Sequence, residues 1–135
     1  MKATQPASAI ISLPGVEITA REVAERMVAD GEQSWKLWLF ELVDGFRRNP
    51  DLHLVKAAPE AALTPRSRCL LAATIESLCA EHGLQPPGWC GKIGALPMPW
   101  FVSETENLKA TALVESPARF RSRNIFVLNN FLARA

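Results

Sequence analysis

The 135-residue chain balances 15 lysines and arginines against 14 aspartates and glutamates, for a formal net charge of +1, and 48% of it is apolar. That near-neutrality excludes a global pull toward nucleic acid or an anionic membrane, while the apolar fraction supports a real core. No apolar run approaches the ~20 residues of a membrane-spanning helix, and Ile10-Ile11-Ser12-Leu13 is too short for a secretory signal core.

In chain order, residues 1–9 read as a loose polar arm, and 10–13 as a short strand or apolar clip. Thr19 and Glu22 have the spacing of a capping box, in which each side chain satisfies an unpaired amide at a helix start. The spacing predicts a helix over 19–30, with Val23, Ala24 and Met27 inward and Gly31 as its stop. A second helix is predicted over 34–48, and it carries the densest apolar pattern. Trp35, Trp38, Leu39, Leu42, Val43 and Phe46 recur at helical spacing on one side, with Leu37 and Phe40 behind. Ser34 is placed as its cap, and Asn49-Pro50 ends it, because proline disfavours helical geometry in the residue before it. Residues 51–62 read as loop.

Thr64-Pro65 opens a third helix over 65–82, with proline at the first helical position and Gly83 as terminator. Its shared face is Leu71, Ala72, Ile75, Leu78 and Cys79. Residues 84–102 hold four prolines, three glycines and two tryptophans. That composition cannot be helical throughout, yet a linker has no use for Trp89 and Trp100, so an ordered wrapping segment is expected. A further helix is predicted over 104–114, started by a second capping box at Ser103 and Glu106, with Leu108, Thr111, Ala112 and Leu113 inward. A short turn follows Ser116-Pro117, then a short strand over 124–128. The expected fold is mainly α: a compact single-domain helical bundle over 10–135, with a Pro/Trp-rich wrapping loop and minor β structure.

Candidate chemistry is sparse. From Ser116 to the last residue there are four arginines (Arg119, Arg121, Arg123 and Arg134) and no acid. Guanidinium forks suit carboxylates and phosphates. Such a cluster either binds a partner or pairs internally, and the acid-rich 17–32 stretch is the expected internal complement. The candidate binding residues are Arg119, Arg121, Arg123, Trp89 and Trp100, with the arginines supplying charged contacts and the tryptophans anchors. Thr19–Gly31 resembles in composition the first helix of a helix-turn-helix, but the following helix is too apolar to face DNA. Three cysteines, Cys69, Cys79 and Cys90, an odd count without CxxC, fit a reducing cytoplasm. With His53 and His82 they show no metal-ligand spacing. Lys92 and the surrounding glycines would lower the pKa of Cys90, but no base is placed for it, so structural roles are expected for all five. No cofactor and no metal are expected.

Several stretches carry a resemblance: FELVDGFRRNP, GLQPPGWC, PMPWFVS and above all ESPARFRSRNIFVLNNFLARA. These resemble a group of small bacterial helical proteins ending in an ESPxxFRxRNIF-type segment, some fused to helix-turn-helix domains or near toxin–antitoxin genes. The resemblance implies a non-enzymatic interaction or regulatory module, antitoxin-like; the arginine cluster suits an acidic protein partner, and the cysteine usage a cytoplasmic setting. It carries no catalytic residue. The alternatives are a nucleic-acid binder using the basic C-terminal segment and, behind it, a small-molecule enzyme with a pocket under the 84–102 loop.

Overall fold

A computed structural model describes residues 17–103 and 106–133. The arm at 1–9, the strand or clip at 10–13, Glu104 and Arg134 lie outside the described residues. The fold is mainly α, with six α-helices and one small sheet among the described residues. No described helix is long and apolar enough to cross a membrane. The chain divides between Ala62 and Leu63 into two compact units, a finer division than one domain over 10–135. It falls after a loop whose Ala57, Ala58, Glu60 and Ala62 are exposed.

In the first unit, α1 spans Ala20–Asp30. The Thr19 hydroxyl accepts from the Glu22 amide at 3.1 Å, and Glu22 Oε1 accepts from the Thr19 amide at 3.0 Å, which completes the expected capping box. Gly31 ends the helix at φ 96°, a conformation natural to glycine. α2 spans Trp35–Arg48 and packs on α1. Ser34 does not cap it. Glu32–Ser34 forms a 3-10 turn that runs directly into α2, which leaves Ser34 near helical geometry at φ −80°, ψ 0°. Its hydroxyl therefore turns back to donate to the Gly31 carbonyl at 2.7 Å.

The α2 stripe is buried at Trp38, Leu39, Leu42, Val43 and Phe46, while Trp35 is half-buried and Leu37 is 54% exposed. Trp38 Nε1–H donates to Asp30 Oδ2 at 2.9 Å, and the Arg26 guanidinium sits 5.7 Å from its ring centre. Gly45, mid-helix, leaves room for Glu17: a Cβ there would stand 3.0 Å from Glu17 Oε1, the atom paired to Arg48 at 2.7 Å.

In the second unit, α3 spans Pro65–Glu81, capped by the Thr64 hydroxyl, which accepts from the Ser67 amide. Every residue from Cys69 to Ile75 is buried, so this helix is enclosed all round its middle rather than along one stripe. Gly83, at φ 69°, reverses the chain, and the Leu84 amide returns to the Cys79 carbonyl at 2.8 Å. The Pro/Trp-rich segment holds one helical turn, α4 (Gly88–Gly91), and strand β1 (Trp100–Phe101). α5 spans Glu106–Glu115 and α6 spans Ala118–Arg121. Strand β2 (Ile125–Phe126) lies parallel to β1, with Trp100 opposite Ile125 and Phe101 opposite Phe126. The Phe101 and Phe126 rings stack at 5.1 Å. Asn124, at φ 67°, turns the chain into β2 and donates to the Leu96 carbonyl. Its short polar side chain tolerates the left-handed region.

The inward face expected for α5 is only partly so. Ala112 is buried, but Leu108 is 36% exposed and Leu113 53% exposed.

Candidate binding surface

The segment ESPARFRSRNIF folds around two inward groups. Ser116 is buried; its hydroxyl donates to the Ile125 carbonyl at 3.1 Å and accepts from the Val127 amide at 3.2 Å. Phe120 is buried and meets Phe131 edge-on at 5.7 Å. Arg123 lies three residues beyond Phe120, on the same side of this helical turn, so it too points inward. Arg119 and Arg121 flank that side and are exposed. Helical spacing thus separates three arginines that look equivalent in the sequence.

Arg123 is not a surface contact, and this corrects its place among the candidate binding residues. It is 7% exposed. Nη1 donates to Glu76 Oε1 at 2.6 Å and to the Arg119 carbonyl at 3.4 Å. Nη2 donates to Glu76 Oε2 at 3.1 Å and to the Cys90 carbonyl at 2.6 Å, and Nε donates to the Ile93 carbonyl at 3.3 Å. Every N–H of the guanidinium fork has an acceptor. One side chain thereby ties α6 to α3, to the α4 turn and to the 93–96 loop.

The internal complement of Arg123 comes from α3, within its own unit. Three acids of the 17–32 stretch have partners in the first unit: Glu17 with Arg48, Glu22 in its capping box, Asp30 with Trp38. Sequence reasoning missed Glu76. The available signal was its isolation, a lone carboxylate between Thr74-Ile75 and Leu78-Cys79 on a helix otherwise buried there.

Trp100 is likewise withdrawn, at 7% exposure, with the Arg66 guanidinium 5.1 Å from its ring centre. Its strand pairing with Ile125 holds it inside. Trp89 is half-buried in α4. What reaches the surface is Arg119, Arg121 and part of Trp89. The Arg121 guanidinium donates to the Val114 and Ser116 carbonyls at 3.1 and 2.9 Å, at the end of α5 where carbonyls lack helical partners. That bond sets a cation beside Leu113 and Val114, which are 53% and 78% exposed. Arg119 is exposed on the other flank of Phe120, since residues two apart on a helix face away from each other. The result is an exposed apolar end of α5 with one cation of α6, Arg121, bonded to its backbone.

The thiols are inert where they stand. Cys69, Cys79 and Cys90 are free and buried. Burial pushes the Cys90 thiol up from its ordinary 9.0 to about 12, with Glu76 adding to the shift and Arg123 opposing it. A nucleophilic Cys90 would need a lowered pKa, and burial shifts it the other way. Because the folded-state value lies above the unfolded one, the stability this thiol contributes is complete below pH 9.0. It is lost as pH climbs toward about 12. Native Cys90 is expected to resist iodoacetamide at pH 8 for hours and to react in minutes in denaturant; peptide mapping reads both, and prompt native labelling contradicts the burial.

No group of three or more histidines, cysteines or carboxylates is placed to hold a metal among the described residues. A cavity of about 250 Å³ under the 84–102 segment is lined by Arg68, Cys69, Lys92, Ile93 and Gly94, among others, with no histidine or carboxylate. In the first unit His53 lines a cavity of about 570 Å³ with Arg21 and Lys56, also without a carboxylate. Neither cavity assembles an acid–base pair. The fold and this surface define a mainly α-helical protein with a cation-bordered apolar face. Comparison with known proteins finds no matching family model, no matching curated protein and no matching solved structure.

Proposed function

We propose that the chain is a non-enzymatic interaction module of the bacterial cytoplasm, regulatory and antitoxin-like, that captures an acidic protein on the α5–α6 surface. The observation that carries this reading is the exposure of Leu113 and Val114 at the end of α5 that Arg121 bonds, with Arg119 exposed on the other flank of α6. Apolar contact supplies affinity there, and the arginines select carboxylate-bearing partners. The likeness of the C-terminal segment to the ESPxxFRxRNIF group supports the regulatory setting. Arg123 and Trp100 have no part in capture; they hold the surface in shape.

Arg119→Glu is the cleaner probe, because Arg121 also caps α5. Combined with Val114→Asp, it is expected to weaken binding of the captured protein by at least about tenfold, with the thermal midpoint unchanged. The partner is first isolated by pull-down from the native host, and its recombinant form is then titrated with wild type and variant. Equal affinity for both would overturn the reading. Retention of nucleic acid instead, with affinity falling steeply between low and moderate salt, would replace it with the alternative of a nucleic-acid binder.

A further inference from the structure

The 250 Å³ cavity beneath the Pro/Trp-rich segment has a chemistry that the α5–α6 surface does not use. Two cationic side chains, Arg68 and Lys92, line it from opposite elements, α3 and the residue after α4. No carboxylate lines it. The surrounding sequence is one-sided as well: residues 63–75 and 84–103 contain Arg66, Arg68 and Lys92 and no aspartate or glutamate. Arg68 is held in place by donating to the Leu63 carbonyl at 3.2 Å, and that contact uses only one of its five N–H groups. Arg66 is fixed nearby over Trp100.

The one acidic hydrogen in the lining is the Cys69 thiol, which donates to the Gly94 carbonyl at 3.1 Å. Burial raises the pKa of Cys69, against the pull of Arg123 and Arg68, so it places no negative charge in the cavity. The positive end of α3 at Pro65 adds to the field without making the site. The volume equals roughly eight waters at their liquid spacing, room for a phosphoryl group bearing a few further atoms.

We infer that this cavity binds the phosphoryl group of a small ligand between Arg68 and Lys92. It shares no lining residue with the α5–α6 surface, so it stands or falls independently of partner capture. Two cationic residues lining one space, with no acid in the lining to pair them, leave a doubly charged oxyanion as the complement.

The test is calorimetric titration of the intact protein with inorganic phosphate and, separately, methyl phosphate, each at ionic strength matched with sodium chloride. Saturable binding to one site is expected, weakened about tenfold by Arg68→Ala and by Lys92→Ala, and unchanged by Arg119→Ala. Tighter binding of methyl phosphate assigns the site to a phosphate monoester, and equal binding assigns it to free phosphate. No saturable binding of either, or binding unaffected by loss of Lys92, overturns the inference. Lys92 is exposed and lies outside the buried core, so Lys92→Ala decides the matter even if Arg68→Ala fails to fold.

Discussion

Arg123→Ala is expected to destabilise the second unit by about 3–5 kcal/mol, enough to unfold it at moderate temperature. The side chains of Arg123 and Glu76 are 8% and 16% exposed, so removing the guanidinium strands a carboxylate that water cannot fully resolvate. It also leaves the carbonyls of Cys90 and Ile93 without these donors. Removing both charges is a different experiment. A Glu76→Met/Arg123→Met pair is expected to lose clearly less than the sum of the two alanine variants, because no buried charge is left alone. Denaturant midpoints, together with amide exchange along α3, give the comparison. If Arg123→Ala costs no more than the ~0.5 kcal/mol of an ordinary surface change such as Arg119→Ala, the clamp does not hold the unit.

Trp38→Ala is expected to cost the first unit about 3–5 kcal/mol. The side chain is wholly buried, is among the largest fully buried groups of the chain, and makes one directed bond, to Asp30. Trp38→Phe separates the two contributions. It keeps most of the apolar area and loses the indole N–H; since Asp30 is exposed and regains water, the hydrogen bond itself accounts for only about 1 kcal/mol. Leu37→Ala, one position away but 54% exposed, is the control and is expected to move stability by less than about 0.5 kcal/mol. Urea midpoints for the three variants check the ordering. A Leu37 effect equal to that of Trp38 would mean that the buried stripe is not what holds α1 and α2 together.

The helices were legible because their signals are local. Thr19 with Glu22, Thr64 with Pro65, and the terminators Gly31 and Gly83 act through amides and carbonyls within a turn of themselves, so spacing alone locates them. The α2 stripe was legible for the same reason: helical periodicity is a property of neighbours in the chain. Ser34 misled because its residue type favours a cap, while the 3-10 turn before α2 had already set its backbone angles.

The arginines show where local reading stops. Arg119, Arg121 and Arg123 are three like charges two residues apart, and composition treats them as one cluster. Which of them faces solvent depends on the phase of a four-residue helix relative to Phe120, and on a carboxylate 47 residues away. The same holds for Trp100, whose burial follows from its pairing opposite Ile125, and for Leu113, which lies outside the inner face that Ala112 occupies. The phosphoryl cavity likewise needs Arg68 and Lys92 brought together across 24 residues.

By itself the sequence determined a mainly α-helical chain, the ends of the helices that carry clear caps or glycine stops, and the residues able to fill a core. Tertiary structure alone decided which charged and aromatic side chains are architecture and which are surface. The physical reason is range: caps and helical stripes are settled within a turn of backbone, whereas the burial of a charge is settled by whether a distant partner arrives to neutralise it.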